Sequence, residues 1–262
     1  MKKTIFDIQF EGLSANHQTK ELPRVDHYNH IHNCYELLYV LSGDIVHGIE
    51  DRVYTPKKHD LVIVRPNDYH YIEIAPSAPY ERYDIFFTAQ LIDNVELLPP
   101  ELEVLNCRHN PIISDIFRKM DYYQSRLSGE NLKDMFRLLL KELIYNISLT
   151  DEKNSNIPSE NIHPLIRQAL AEINENLFTI RTIDEIADKL FVSKGYLFRT
   201  FKREMRTTPL KYITEKRLHA AQALLVQGKS PTHIYQECGF NDYSSFYRSY
   251  IKLFGHAPSD MI

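Results

Sequence analysis

Four residues near the amino-terminal end are of types that bind cations: His30, His32 and Glu36 in HIHNCYE, and His70 in PNDYH. Imidazole nitrogens joined by one carboxylate suit Zn, Fe or Mn. Residues i and i+2 of a strand share a face, so His30, His32 and Glu36 have the parity to converge if the segment is extended. The same groups can instead hydrogen-bond the hydroxyls of a small polar molecule, with Tyr28, Tyr39 and Arg65 as further candidates. A second group is basic. Residues 194–217 hold Lys194, Arg199, Lys202, Arg203, Arg206, Lys211, Lys216 and Arg217 against Glu204 and Glu215. Such a cluster fits either a polyanion site or a solvated helix face. No acid–base pair or nucleophile constellation accompanies these groups elsewhere, so no catalytic residue and no enzyme activity are expected.

The elements that must position these groups divide the chain of 262 residues into two halves of opposite charge. Residues 160–262 carry 14 Lys and Arg against 11 Asp and Glu, a net +3, whereas residues 1–159 carry 17 against 24, a net −7. Between 35 and 88, YELLYVL, DIVHGI, DLVIV, HYIEI and ERYDIFF are rich in Val, Ile and Tyr and separated by turn-forming residues, which predicts a small antiparallel barrel or sandwich. From Pro111 the period changes to that of helices. Ile112, Ile113, Ile116, Phe117 and Met120 form one stripe; Leu132, Met135, Phe136, Leu139, Leu140, Leu143, Ile144 and Ile147 form another, suited to a core or to a dimer face. The expected organisation is a barrel over 1–108, two helices over 109–149, a polar linker over 150–160 and an all-helical domain over 161–262. The start MKKTIFDIQFEG has its apolar stretch broken by Asp7 and reads as neither a signal peptide nor a membrane span. Cys34, Cys107 and Cys238, odd in number and without a C-x-x-C pair, favour a reducing cytoplasm.

In the helical half, TIDEIADKLFVSKGYLFRTFKRE (182–204) contains two helix starts. Thr182 with Glu185 forms a capping box, and Ser193 caps a second helix. Ile186, Ala187, Leu190, Leu197 and Phe201 face inward; Lys194, Gly195, Phe198, Arg199 and Lys202 face out. This is a helix-turn-helix, in which Arg199 can pair with a guanine edge and Phe198 can lie on a thymine methyl. A second copy occupies about 232–254, with Ile234, Cys238, Phe246 and Tyr250 inward, Asp242 as a cap, and Tyr243, Ser244, Tyr247 and Arg248 outward. PLKYITEKRLHAAQALLVQG joins them as one long helix with Leu210, Ile213, Leu218, Ala221, Leu224 and Leu225 as its stripe and Gly228 as its stop. Such a rod can set two reading helices about one duplex turn, roughly 34 Å, apart.

EIADKLFVS, YLFRTFKRE, the Arg217–Leu218 to Leu224–Leu225 helix and CGF with FYRSYIKLFGHAP resemble the signature of the AraC-type family of bacterial transcription regulators. The amino-terminal half resembles the cupin-like effector domain of the family's sugar-responsive branch, followed by its dimerisation helices. The resemblance implies an α+β two-domain fold and an effector-responsive homodimer in the cytoplasm. It also implies binding to promoter half-sites on double-stranded DNA, recruitment of RNA polymerase, and no membrane partner. Gly195, Phe198 and Arg199 then occupy base-reading positions in the first unit; Tyr243, Ser244 and Arg248 do so in the second, which is expected to be the weaker. Genes of carbohydrate uptake or catabolism are the implied targets and a saccharide the implied effector, contacted by His30, His32, Glu36, His70 and Tyr39, with no cofactor. The spacing H-x-H-x3-E-x6-G is that of the first cupin metal motif, so a metal or redox regulator using His30, His32, Glu36 and His70, with Cys34 beside His32, stays open, as does a metal-dependent cupin enzyme. Three positions depart from the family: Tyr235 where a small residue is usual, Arg206 where Gly is expected, and Met261–Ile262 at the end.

Overall fold

The structure, a computed structural model, describes residues 2–21, 26–150, 158 and 160–261. The amino-terminal half is built from antiparallel strands in two sheets. Strands β1 (Lys2–Phe10), β2 (Leu13–Lys20), β3 (Asp26–His30), β4 (Tyr35–Ser42), β5 (Ile45–Ile49), β6 (Arg52–Tyr54), β7 (Asp60–Val64), β8 (His70–Ile74), β9 (Tyr80–Phe87) and β10 (Val104–Asn106) come from it, and β11 (Glu160–Asn161) joins from the other half. One sheet runs β1-β2-β9-β4-β7-β10 and the other β11-β6-β5-β8-β3. The expected barrel is thus two separate sheets and is not closed.

Strand alternation gives the first sheet two buried faces. Leu38, Val40, Val62 and Val64 face the second sheet and meet Ile45, Ile49, Tyr54 and Ile74, so side chains fill the space between the sheets. Leu37, Tyr39, Ile63 and Tyr83 point the other way, against α1 (Pro111–Gln124) and α2 (Gly129–Ser148). Asn110 caps α1 by accepting from the Ile112 and Ile113 amides, and Pro111 occupies the first turn, where its missing N–H costs nothing. Ile113, Ile116, Phe117 and Met120 are buried as the periodicity predicts, but Ile112 is exposed, one position off the buried stripe.

The carboxyl-terminal half is all helical: α3 (Pro164–Glu175), α4 (Ile183–Lys189), α5 (Lys194–Met205), α6 (Pro209–Val226), α7 (Pro231–Glu237) and α8 (Tyr243–Phe254). Its core is split. Residues of α3, α4, α5 and the start of α6 share one cluster with Val53 and Tyr71 of the second sheet and with Ile31 and Tyr69, which flank β3 and β8; the end of α6, α7 and α8 form a cluster of their own. Most of the polar linker expected over 150–160 lies outside the described residues, and Glu160–Asn161 pair with β6. No helix is long and apolar enough to cross a membrane among the described residues.

Candidate functional site

Local capping chemistry builds both helix-turn-helix units. Thr182 Oγ1 accepts from the Glu185 amide at 3.3 Å, and Glu185 reaches back to accept from the Arg181 amide at 3.1 Å. Ser193 Oγ accepts from the Tyr196 amide at 3.3 Å, starting α5. In the second unit Asp242 accepts from the Ser245 amide at 2.8 Å and starts α8, while Cys238 and Ile234 are buried beneath it. Gly239 makes the intervening turn at φ +80°, where a Cβ would lie 2.6 Å from the Phe178 carbonyl oxygen. Only glycine fits there.

Of the residues expected to face outward, those on α5 are exposed and those on α8 are divided. Lys194, Gly195, Phe198, Arg199 and Lys202 are exposed on α5, with Lys194 paired to Asp184 at 2.7 Å. On α8, Ser244 and Arg248 are exposed, while Tyr243 and Tyr247 are half-buried and lie against each other with ring centres 5.9 Å apart. Tyr235, the departure from a small residue, is also half-buried and meets the edge of Tyr243 at 5.8 Å, so its bulk is taken up at the rim of the unit. Leu210, expected in the buried stripe of α6, is 65% exposed.

The basic cluster does not act as one surface. Arg217 is turned inward: it donates to the carbonyls of Leu177 (2.7 Å), Ile180 (2.6 Å) and Gly239 (2.9 Å), fastening α6 to both units. Lys216 pairs with Glu50 at 2.6 Å, and Arg206 with Glu73 at 2.6 Å, both across to the strand domain. Arg206 ends α5 in the left-handed region at φ 56°, the conformation glycine favours. Asn29 donates to its carbonyl at 2.8 Å, and Tyr69 Oη donates to the Met205 carbonyl at 2.7 Å. Tyr212 Oη donates to Glu50 at 2.7 Å. The strand domain therefore grips the carboxyl-terminal end of α5 and the start of α6.

At the edge of this grip lies the histidine cluster. His30 ends β3, Glu36 is in β4, and His70 starts β8. His32 sits in the bend between β3 and β4, so the convergence comes from a turn of the chain and not from a common strand face. His30 Nε2 lies 3.0 Å from His70 Nε2, and Glu36 Oε2 lies 3.1 Å from His32 Nε2 and 3.2 Å from His70 Nε2. All four candidate ligand atoms fall within 4.8 Å of one another. The outer nitrogens are occupied: His32 Nδ1 donates to the Cys34 carbonyl at 2.9 Å and His70 Nδ1 to the Asp68 carbonyl at 3.0 Å.

Although His30 lies at the rim, desolvation of its ring among the packed histidines, then the neighbouring His70, push it down to about 4. At His32 burial acts the same way but is outweighed by hydrogen bonds to Cys34 and Glu36, which lift it to about 10. Glu36 is held well below the carboxylate range: burial opposes this, and bonds from His32 and His70 overcome it.

Two residues that the sequence reading passed over also belong here. Asp84 is raised to about 7 by burial and by Glu36, despite its 3.1 Å pair with Arg82. His47 is buried with its ring parallel to that of His70, centres 6.0 Å apart. Cross-strand register alone reveals them: Asp84 pairs with Leu38 and His47 with Ile72.

Tyr39 is a correction. It lies three residues after Glu36 and on the opposite strand face, stacked on Phe117 at 4.2 Å with its hydroxyl bonded to Ser114 and His59. Arg65 is another, since it donates to the Pro99 and Leu102 carbonyls. The side chain of Tyr28 lies outside the described residues.

Comparison with known proteins agrees with this division. An AraC-like ligand binding domain profile matches residues 13–156 and a helix-turn-helix domain profile matches residues 186–262. The HTH-type transcriptional activator RhaS of Escherichia coli (strain K12 / DH10B) is 27% identical over 252 residues, covering 92% of this chain and 89% of that protein. Among solved structures, unsaturated-fatty-acid-bound ToxT from Vibrio cholerae strain SCE256 aligns over 95% of this chain and 94% of its own at 14% identity with a TM-score of 0.42. The C-terminal domain of AraT from Geobacillus stearothermophilus aligns over 39% of this chain and 86% of its own at 24% identity with a TM-score of 0.37. With a strand domain and a double helix-turn-helix domain each matched in place, the chain belongs to the AraC-type family of transcription regulators.

Proposed function

We propose that this chain is a sequence-specific transcription activator that answers to a small molecule and controls genes of carbohydrate uptake or catabolism in the cytoplasm. One observation carries the DNA-reading part: two capped helix-turn-helix units, each with an exposed arginine on its second helix, are fastened to one 18-residue helix by Arg217. That helix is about 27 Å long at the standard rise, a length suited to successive major-groove segments. Phe198 and Arg199 read base edges in the first unit, with Gly195 leaving room for the approach. Tyr243, Ser244 and Arg248 read in the second, while Lys194, Lys202 and Tyr247 flank the contact.

The strand domain supplies the response. Side chains fill the space between its sheets, so a saccharide would sit over His30, His32, Glu36 and His70 at the end where His30 is exposed. Their donors and acceptors suit sugar hydroxyls. Binding there shifts the equilibrium between arrangements of the grip on α5 and α6 by its differential affinity for them. Leu138, Tyr145 and Leu149 are exposed at helical spacing on and just after α2 and form the face through which two copies pair. The bound dimer then recruits RNA polymerase. RhaS is a transcriptional activator, which supports a regulator over an enzyme.

The test is fluorescence anisotropy on selected and on random duplexes. Arg199→Ala costs about 1–3 kcal/mol on the selected site and relaxes preference at one base, whereas Lys202→Ala weakens both duplexes alike and lowers the salt slope by about one. Equal loss on both duplexes for Arg199→Ala contradicts base reading.

A further inference from the structure

We propose that His30, His32, Glu36 and His70 hold a divalent transition-metal ion of the Zn, Fe or Mn class, and that its occupancy steadies the part of the strand domain that grips the first reading unit. The inference rests on the regulator reading above in placing the regulatory ligand at this cluster, and it names the chemistry of that ligand.

The geometry suits a cation shared between these atoms. Three close contacts, His30 to His70, His70 to Glu36 and His32 to Glu36, all run between inward-facing atoms at 3.0–3.2 Å. Without a shared proton or a cation, the lone pairs at each contact repel. One cation at the centre serves all three. Four donors arranged tetrahedrally around an ion at about 2.1 Å stand about 3.4 Å apart, which matches the observed crowding.

The outer nitrogens match too. On His32 and His70, Nδ1 is committed as a donor to a backbone carbonyl. That fixes the tautomer so that a neutral ring offers its Nε2 lone pair inward, the outer-shell arrangement of metal-binding histidines. Cys34 Sγ lies 3.5 Å from His32 Nδ1, on the outer side of the ring, and is not a ligand. His70 and Glu36 are buried while His30 lies exposed at the rim. The ion has an entry path from the rim at His30.

The ligands are interleaved with the grip. Asn29, just before His30, bonds the Arg206 carbonyl; Ile31, between two ligands, packs in the core of the first reading unit; and Tyr69, just before His70, bonds the Met205 carbonyl. β3 and β8 pair with His30 opposite His70, and one ion held by both side chains pins the end of that pair beside these contacts.

The experiment uses the full-length chain, stripped with a chelator, dialysed and titrated with Co(II), Zn(II) and Mn(II). The readouts are the Co(II) d–d absorption, metal content after gel filtration, and amide hydrogen exchange. Expected are one equivalent bound per chain and slower exchange at residues 69–74 and 205–206. His30→Asn, on the exposed rim, and His70→Gln should each weaken binding roughly a hundredfold or more, at least what loss of an outer-shell partner costs. His30→Asn must melt like the parent, which separates a lost ligand from a lost fold. Failure of all three ions to bind at one equivalent overturns the proposal, and so does binding unchanged in both variants. If the stripped chain still selects its DNA sequence while the titration fails, the metal site falls and the regulator reading stands. If neither form selects any sequence, the regulator reading falls and the inference with it.

Discussion

The two helix-turn-helix units are alike in construction and opposite in circumstance. Each has a capped second helix over a buried aromatic, Phe201 in the first and Phe246 in the second, and each such helix ends in the left-handed region. In the second unit the ending residue is Gly255, which adopts φ 78° freely. In the first it is Arg206, at φ 56°, whose side chain reaches Glu73 of the strand domain. The first unit shares its apolar core with Ile31, Val53, Tyr69 and Tyr71, whereas the second has a core to itself. The ligand-binding half therefore holds one reading head directly, and the other follows through α6 and through Arg181, which bonds the Gly239 carbonyl and Asn241.

Core truncation breaks the comparison most strongly. Phe201→Ala and Phe246→Ala should each cost about 3–5 kcal/mol, as large aromatic deletions in cores do. The rings of Phe201, Tyr212 and Tyr69 form a continuous run into the strand domain, with centres 5.7 and 5.2 Å apart. Calorimetry should therefore show Phe201→Ala lowering the strand-domain transition as well, and Phe246→Ala leaving it in place. Identical effects of the two variants on that transition would remove the asymmetry.

Glu50→Ala is the next test. It strips the acceptor from Tyr212, Lys216 and the Tyr69 amide at once. The cost expected for leaving such partly buried groups unpaired is about 1–3 kcal/mol, read as a lower melting temperature of the strand domain and first unit together. An unchanged melt would show that the grip contributes nothing in solution.

A pH test addresses the other side of the strand domain. His17 bonds Asp121 of α1 at 2.8 Å and Glu81 of β9 at 3.0 Å. Burial lowers its pKa, but these carboxylates prevail and raise it above 6.5. A raised folded pKa means stability that is complete below the unfolded value near 6.5 and lost as pH climbs through the folded value. The melting temperature of the strand domain should fall on that climb, and His17→Gln should flatten the fall. A parent protein whose stability rises over the same range would reverse the sign and refute the assignment.

Arg206→Gly gives the smallest change. Relief of the left-handed backbone, of order 1 kcal/mol, is offset by loss of the partly exposed pair with Glu73, worth about 0–1 kcal/mol. Chemical denaturation should place the variant within about 1 kcal/mol of the parent. A loss well beyond that would make Arg206 a principal fastener of the first unit.

What was legible in the sequence follows from range. Thr182, Ser193 and Asp242 each act on the amide three residues on, so the reading units and their outward faces can be written down from the chain alone. The departure at Arg206 is legible for the same reason, because a helix end imposes its own backbone geometry. The grip is not, since Tyr69 and Met205 are 136 residues apart and neither carries a local signature. β1 and β2 carry a weaker local signal, because Asp7 interrupts the apolar residues of the first and the second, LSANHQTK, is mostly polar. The histidine cluster shows an intermediate case. Residue type and spacing mark His30, His32, Glu36 and His70, yet the bend at His32 does the converging. Tyr39 is excluded by parity with Glu36, a test that the sequence already allowed.

The most direct measurement is in vitro selection of duplexes by the full-length chain, followed by chemical footprinting of the parent, Arg199→Ala and Arg248→Ala. Two protected major-groove segments about one helical turn, roughly 34 Å, apart are expected, with base preference in one segment lost in Arg199→Ala and in the other lost in Arg248→Ala. A single protected segment, or the same uniform weakening in both variants, would contradict the account of two reading heads on one rod.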